Sequence, residues 1–226
     1  MHETLPNGDE EEIILAESSA ERDLGVLVDD KLSFKQHIAQ VVAKANRVVG
    51  VIRRSYEFLD EVTFVLLFKS LVRPILEYSN VAWQPHLKYL KADLESVQRR
   101  ATRLLPGMDQ LSYEERLRKL KLPSLEFRRR RGDMIEAFKY LNKIYDTEKP
   151  ELKLSSNTHT RTNKLKLDKP IKEKLLRSGF FTRRIIDDWN KLPASVVGSP
   201  SVNIFKNRLD NVWKNDPTKF APTCLV

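Results

Sequence analysis

The sequence has a single cysteine, only 7 glycines and few aromatic residues among its 226 residues. One cysteine, Cys224, excludes an internal disulfide and a cysteine-based zinc site, and it suggests a reducing compartment. Few glycines together with 31% charged residues favour helices over a sandwich or barrel. The longest nearly apolar run, residues 62–68, is too short to span a bilayer. We therefore expect a mainly α-helical, intracellular protein without a membrane partner.

Motifs for catalysis and metal binding are also missing. The four histidines are scattered without metal-ligand spacing, and the glycines never form a phosphate-binding loop. Asp29 and Asp30 follow a short apolar run and invite comparison with the paired aspartates that hold two Mg²⁺ ions in polymerases. Only a short acidic segment precedes them, with no strand to supply a third carboxylate. We predict a turn at this pair, no metal site and no catalytic residue.

Charge is distributed unevenly along the chain, whose net charge is +9. Residues 1–30 carry ten acidic side chains against one basic side chain, Arg22, for a net charge of −9. By subtraction, residues 31–226 carry 39 basic and 21 acidic side chains, or +18. Such a density suits a polyanionic partner, because each phosphate bound by Lys or Arg releases condensed counterions. Charge alone leaves open the alternative of a solvated surface on a lysine-rich helical protein.

The sharpest helical pattern runs from residue 87 to residue 105. At about 100° per residue its apolar side chains share one face, which predicts a helix buried on one side. Lys88, Lys91, Arg99 and Arg103 fall on the opposite face, with Glu95 among them. We name these four cations the cationic stripe, and we predict that the stripe contacts phosphates.

Arginines also occur in pairs and in one run of four, residues 128–131. Neighbours on a helix point about 100° apart, so at least one of the four must lie toward the core, snorkel along apolar neighbours or sit at a helix end. The run either begins a solvated helix or binds phosphate, since guanidinium forks match phosphate oxygens. Together with the cationic stripe, the candidate nucleic-acid-binding residues are Arg53, Arg54, Lys88, Lys91, Arg99, Arg100, Arg103, Arg128, Arg129, Arg130 and Arg131.

Periodicity and capping residues divide the chain into segments. Residues 1–32 hold two apolar runs, 11–17 and 23–28, which predict a β-hairpin with its turn between them. From residue 33 the chain is predicted helical to residue 145. Residues 146–179 are predicted to form a polar linker with a short strand pair near 164–167. Residues 180–214 are predicted to form a small helical unit, and residues 215–226 a tail.

Individual residues predict where several helices begin or end. Ser33 with Gln36 and Ser112 with Glu115 are capping-box pairs, and Asp60 is a helix N-cap. Pro74 should bend or break the helix that precedes it, because proline has no N–H to donate and its ring clashes with the previous turn. The tryptophans lie in apolar, helix-compatible contexts and are predicted core residues rather than platforms for stacking bases: Trp83, Trp189 and Trp213.

Five stretches of the sequence follow one another in an order that resembles a known family. They are RDLGVLVDDKLSFKQHI (22–38), LVRPILEYSNVAW (71–83), LESVQRRATRLL (94–105), LPSLEFRRRRGDMIEAFKYLNKI (122–144) and FFTRRIIDDWNKLPASVVGSPSVNIFKNRLDNVW (180–213). In this order they resemble the region downstream of the catalytic palm in reverse transcriptases of non-LTR retrotransposons, the LINE-like elements of jockey type. The family's catalytic carboxylates, carried in an aromatic-Ala-Asp-Asp motif, are absent from this chain.

The resemblance implies a fold and a function. Residues 1–32 would be the end of the palm, with Leu24 and Gly25 near the primer terminus, and residues 33–145 a thumb-like bundle. The partner would be RNA, an RNA–DNA hybrid or DNA, gripped through its backbone, which is recognition by shape and charge.

The same resemblance bears on activity. The chain would be no enzyme on its own but a fragment of an RNA-directed DNA polymerase, acting in the nucleus. It would bind no cofactor, since Mg²⁺ is expected only for the complete polymerase. Two alternatives stay open: a decayed transposon-derived protein without function, and a host-adopted helical module that binds nucleic acid or protein. The sequence leaves the oligomeric state undetermined.

Overall fold

The structure, a computed structural model, describes residues 2–4, 10–12, 18–145, 152–155, 165–169 and 179–225. It is 62% helical with a short antiparallel hairpin near the N-terminus, which confirms the predicted fold class. The strands are β1 (His2–Thr4), β2 (Glu10–Glu12), β3 (Ala20–Asp23) and β4 (Val26–Asp29). They pair antiparallel as β1–β2 and β3–β4.

The helices fall into two groups along the chain. The first group comprises α1 (Lys35–Ser55), α2 (Glu61–Leu67), α3 (Arg73–Glu77), α4 (Asn80–Trp83), α5 (Lys88–Ala101), α6 (Tyr113–Leu120) and α7 (Leu125–Leu141). The second comprises α8 (Phe181–Arg184), α9 (Ile186–Asn190), α10 (Ala194–Val197) and α11 (Val202–Val212). Short 3₁₀ turns follow α5, at Thr102–Leu104, and α11, at Pro217–Lys219 and Thr223–Leu225.

The β3–β4 hairpin differs from the predicted one. Its turn is Leu24–Gly25, inside the run predicted as one strand, and its first strand lies in the segment predicted as the turn. Both turn residues have positive φ, 43° and 87°, which is the conformation of a two-residue hairpin turn with the same twist as its strands. Of the predicted first run, residues 13–17 lie outside the described residues.

The predicted break at Pro74 does not occur. Instead α2 passes into a π-helical turn, Phe68–Val72, and the helix continues through Pro74 to the end of α3. Pro74 occupies the first turn of α3, where a missing N–H is tolerated. The wider π turn lets the helix absorb an extra residue without stopping. Phe64, Phe68, Val72 and Leu76, spaced four residues apart, all stay in one core.

Two hydrophobic cores meet within α7. The first is formed by β4, α1 to α6 and Leu125 at the start of α7. The second is formed by α7 from Phe127 onward, Leu167 and α8 to α11. All three tryptophans are buried, as predicted, with Trp83 in the first core and Trp189 and Trp213 in the second.

The segments predicted as linker and tail pack against these cores where they are described. Leu154 and Leu167 form one antiparallel bridge, close to the predicted strand pair, and Leu167 is buried. The C-terminal turns cover the start of α7: Ser124 N–H donates to the Lys219 carbonyl at 2.7 Å, and Thr223 N–H and Oγ1 donate to the Glu126 carboxylate at 2.7 Å. The described part of the predicted tail, residues 215–225, therefore packs against the start of α7.

Candidate nucleic-acid interface

The cationic stripe is divided in the structure by Glu95. Helical geometry places Glu95 among the cations of the stripe, but its side chain is fully buried, so the prediction that it lies on the exposed face is wrong. Its carboxylate accepts hydrogen bonds from the Tyr113 hydroxyl at 2.7 Å and from the N–H groups of Leu125 and Glu126, both at 3.2 Å. The start of α7 thus covers the middle of α5.

Burial determines the ionisation of this carboxylate. Removal from water raises the pKa of Glu95, against the opposing effects of the Arg129 charge and of the three hydrogen bonds it accepts. The side chain acts as an interior acceptor for two buried N–H groups at the N-terminus of α7, which have no acceptor within the helix. It contributes nothing to a surface for phosphate.

The two halves of the cationic stripe have different surroundings. Lys88 is exposed at the first turn of α5, and Lys91 is half-buried beside a cavity that Arg130, Asp133 and Asp188 also line. Arg99 lies about 12 Å further along the axis from Lys91, at roughly 1.5 Å per residue. The four cations do not form one continuous strip.

The C-terminal half of the stripe joins a third arginine that the sequence pattern did not single out. Arg99 and Arg103 are exposed, whereas Arg116 of α6 is buried, with only 1% of its surface exposed, and lies near enough for both charges to act on it. Burial lowers the pKa of Arg116, and the positive charges of Arg103 and Arg99 lower it further, while Tyr113 opposes the shift. We name these three residues the arginine cluster.

The arginine cluster lacks neutralising partners among the described residues. Arg116 donates one hydrogen bond, at 3.4 Å to the Met108 carbonyl, and its Nε has no acceptor. No carboxylate in the described part of the chain forms an ion pair with Arg99, Arg103 or Arg116. Three like charges held together without a counter-charge repel one another, and an anion at this surface would relieve that repulsion.

The end of α1 lies beside this surface. Arg53 lines a groove of about 410 Å³ together with Leu104, which directly follows Arg103, and Pro106. Arg53 and Arg54 are exposed in the last turn of α1, as Arg99 and Arg100 are in the last turn of α5. Cations at these two helix ends also interact favourably with the helix dipoles, by about 0.3–1 kcal/mol each.

The four-arginine run is occupied by contacts within the protein. Arg129 is buried, with 1% of its surface exposed, so its predicted contact with nucleic acid is wrong, whereas the predicted core-facing member of the run is confirmed. The other three each pair with carboxylates from distant parts of the sequence, and we withdraw them as phosphate contacts. The pairs are Arg128 with Glu77, Arg130 with Asp188 and Asp216, and Arg131 with Asp210.

Leu24 and Gly25 form the exposed tip of the β3–β4 hairpin. Leu24 is 85% exposed, and its carbonyl accepts a hydrogen bond from the Tyr78 hydroxyl at 2.9 Å. A Cβ on Gly25 would lie 3.6 Å from the Tyr78 ring, so the positive φ, rather than crowding, requires glycine there. The tip is available to a partner, and its relation to a primer terminus stays a prediction.

Asp29 holds a turn, as predicted for the aspartate pair. Its two carboxylate oxygens accept hydrogen bonds from the N–H groups of Lys31, Ser33 and Phe34 and from the Ser33 hydroxyl, at 2.6–3.2 Å. Partial burial opposes the charged form, but these hydrogen bonds outweigh it and lower the pKa of Asp29. The predicted Ser33–Gln36 capping box is absent, since α1 begins after Phe34 without a side-chain cap.

Replacing Asp29 with alanine should therefore destabilise the protein by about 2 kcal/mol at neutral pH, the scale of hydrogen bonds to a charged group. Because the folded-state pKa lies below the ordinary 3.8, this contribution is present above pH 3.8 and is lost as pH falls through the lower folded value. Urea unfolding at a series of pH values measures it. Asp30→Ala, at an exposed neighbour, is the matched control and should stay within about 0.5 kcal/mol of the parent protein.

Two other kinds of feature are absent from the described residues. No group of three or more His, Cys, Asp or Glu side chains in that part of the chain could hold a metal ion. None of its helices combines the length and apolar composition that crossing a bilayer requires. Comparison with protein-family models, with curated proteins and with solved structures found no match to this chain.

Proposed function

We propose that this chain binds the phosphate backbone of RNA, an RNA–DNA hybrid or DNA, without sequence preference, through the arginine cluster and the neighbouring end of α1. The main support for this proposal is the group of three arginines, Arg99, Arg103 and Arg116. Their charges repel one another, and none of them has a carboxylate partner among the described residues. The contrast with the run at residues 128–131, where each of the three half-buried arginines is paired with a carboxylate, supports the choice of this surface.

The resemblance to the post-catalytic region of non-LTR reverse transcriptases supports a more specific form of this proposal. In that form the chain is the thumb-containing part of an RNA-directed DNA polymerase, it acts in the nucleus, and Mg²⁺ belongs to the complete polymerase. The chain by itself would then grip a template–primer duplex without extending it. A decayed element without function is the competing proposal, and it expects no binding beyond that of any protein with the same net charge.

A protein-binding module is a second candidate, and it has its own observation. Phe58, Val62 and Leu66 are 88%, 80% and 66% exposed, and they are spaced four residues apart leading into and along α2. Residues four apart share one helix face, so α2 presents an apolar ridge to solvent. Ridges of this kind commonly mark protein contacts.

Removing the exposed charges of the arginine cluster tests the nucleic-acid proposal. We expect Arg99→Gln with Arg103→Gln to weaken binding to RNA–DNA duplexes at least about tenfold at low salt, and similarly for unrelated sequences, because backbone contacts carry no base information. The log–log salt dependence should become shallower by up to about 0.9 for each phosphate that the variant no longer neutralises on a B-like duplex. Fluorescence anisotropy at several salt concentrations measures both quantities.

The matched control removes the same number of charges elsewhere. Lys35 and Lys191 are exposed and lie outside the cluster, and Lys35→Gln with Lys191→Gln should leave the affinity and its salt dependence near those of the parent protein. Equal losses in the two double variants would show that net charge, not this surface, causes binding. That result would favour the decayed element or the protein-binding module.

A further inference from the structure

The groove at the end of α1 is lined by aromatic rings as well as by Arg53. Tyr56 and Phe58, in the loop that joins α1 to α2, both line it, and Leu59 and Leu104 add apolar surface. Its volume of about 410 Å³ falls within the range of roughly 300–1,000 Å³ typical of pockets for small molecules. The groove is therefore large enough for one planar heterocycle, and its lining suits such a group.

The two rings are exposed, and their faces are not taken up by contacts within the protein. Phe58 is 88% exposed and Tyr56 is 40% exposed. In the described part of the chain neither ring stacks on another aromatic ring or lies against a cation. Bases of every kind stack on exposed aromatic faces, so two free rings in one groove are a feature of proteins that bind single strands.

The loop that carries these rings is held in place at its α2 end. Leu59, directly after Phe58, is buried in the first core. Asp60 accepts hydrogen bonds from the N–H groups of Val62 and Thr63, at 2.8 and 3.0 Å, and so fixes the start of α2. A side chain on a held backbone loses less conformational freedom on binding than one on a free loop. Phe58 is therefore presented to a ligand in advance.

The charges around the groove favour a base inside it and phosphates beside it. Two of the lining residues are acidic, Glu57 and Asp60, and Glu57 forms no ion pair in the described part of the chain. Carboxylates repel phosphate but accept hydrogen bonds from the amino groups of bases. Cations for the phosphates lie close by: Arg53 lines the groove, and Arg103 of the arginine cluster directly precedes Leu104 in its wall.

We propose that this groove takes one unpaired base of a single-stranded nucleic acid, stacked on Phe58 or Tyr56, while the neighbouring phosphates contact Arg53 and the arginine cluster. The inference rests on the function proposed above and narrows its substrate class to nucleic acids with unpaired nucleotides. RNA and DNA strands share the chemistry that the groove recognises, namely an aromatic base on an anionic backbone.

A strand without bases provides the test. The full chain is titrated with a short unstructured DNA strand and with an abasic strand of the same length, which has the same phosphates and no bases. The base-bearing strand should bind about tenfold more tightly, on the scale of stacking one base on an aromatic side chain. Equal affinity for the two strands would overturn the proposal, because the phosphates alone would then account for binding.

Two variants of exposed aromatic residues locate the effect. Phe58→Ala should weaken binding of the base-bearing strand about tenfold and leave the abasic strand unchanged. Tyr89→Ala is the matched control, since Tyr89 is exposed on α5 and does not line the groove. It should leave both affinities unchanged. Equal losses in the two variants would overturn the proposal.

Phe58→Trp gives a direct signal of stacking. The fluorescence of the added indole should be quenched by the base-bearing strand and not by the abasic strand. Binding of the base-bearing strand without quenching would overturn the proposal, and Phe58 would then belong with Val62 and Leu66 to the apolar ridge for a protein partner.

Failure of the proposed function has a different signature. Arg99→Gln with Arg103→Gln should weaken both strands alike, because this pair acts on the backbone. If that double variant leaves both affinities unchanged, the proposed function fails and this inference fails with it. If the double variant weakens both strands while Phe58→Ala weakens neither, the groove proposal alone is overturned.

Discussion

Replacing Glu95 with alanine is expected to lower the free energy of unfolding by about 3–5 kcal/mol, because each of the three buried donors left without an acceptor costs about 1–3 kcal/mol. The loss has two physical causes. The Tyr113 hydroxyl and the first two N–H groups of α7 would be left buried without an acceptor. The positive charge of Arg129, which is also buried, would lose the carboxylate whose field most favours it.

Urea unfolding followed by circular dichroism measures this loss, and Asp93→Ala supplies the control. Asp93 is exposed on the same helix, two residues away, so the control removes a carboxylate and creates an alanine in the same helical context. Its effect should stay within about 0.5 kcal/mol. A loss below about 1 kcal/mol for Glu95→Ala would contradict the buried network, since that is the typical net contribution of a single neutral hydrogen bond.

The pH dependence of the same site has a definite sign. Burial raises the folded-state pKa of Glu95 above the ordinary 4.5. Its contribution to stability is therefore fully present below pH 4.5 and is lost as pH rises through the folded value. Burial likewise lowers the pKa of Arg129, against the attraction of Glu95. Both pKa shifts favour the neutral form. For each of these two groups, the free-energy cost of removing the charge from water therefore exceeds the free energy gained from their mutual attraction.

Sequence reasoning succeeded where the determining interactions are local. The Ser112–Glu115 capping box forms with both reciprocal hydrogen bonds, and Asp60 accepts from the N–H groups of Val62 and Thr63. These contacts join residues two or three positions apart, so the sequence contains both partners. The rule that four consecutive arginines cannot share a helix face is equally local: one of the four is buried, although the rule did not say that it would be Arg129.

The errors concern contacts made at long range along the chain. Arg128 and Arg130 meet carboxylates 51 and 58 residues away, and nothing in a run of arginines indicates where such partners will fold. Glu95 is buried because the start of α7, 30 residues later, covers it. Helical periodicity assigns residues to faces of one helix, and only the packing of a second helix decides which polar residue is covered.

The hairpin and the π turn show a different limit. Leu24 adopts a left-handed conformation at the hairpin turn, where asparagine or aspartate before glycine is the usual signal. Phe68–Val72 takes a π-helical turn before Pro74, so the proline ends no helix. In both cases the backbone adopts a rare conformation that tertiary packing stabilises. Arg116 was missed for a related reason: it belongs to α6 and is buried, and the sequence pattern of α5 contains no signal for it.

The second large effect is expected at Arg184, which connects three separate parts of the structure. Its guanidinium forms a bidentate ion pair with Asp133 on α7, at 2.8 and 2.9 Å. It also donates to the Gly179 carbonyl at 3.0 Å and to the Val81 carbonyl, in α4, at 2.8 Å. Through these contacts one side chain of α8, in the second group of helices, binds both α7 and α4 of the first group.

Arg184→Met is expected to destabilise the protein by about 3–5 kcal/mol, because it leaves Asp133 buried without its partner. Burial already raises the pKa of Asp133, against the opposing effect of Arg184. This contribution to stability is present below the ordinary pKa of 3.8 and is lost as pH rises through the folded value. Without Arg184 that folded pKa should rise further, so the variant's deficit should be larger at pH 7 than at pH 4. Urea unfolding at the two pH values measures both deficits.

Two further variants separate the ion pair from the packing of the side chain. Arg184→Lys keeps the charge but cannot form the planar, two-pronged contact, so it should recover less than half of the loss. Lys191→Met, at an exposed position beyond α9, should have little effect. If Arg184→Met splits one unfolding transition into two, the contacts of Arg184 couple the two cores. A deficit that Arg184→Lys restores in full would mean that charge alone stabilises this site, and the two-pronged geometry would then contribute nothing.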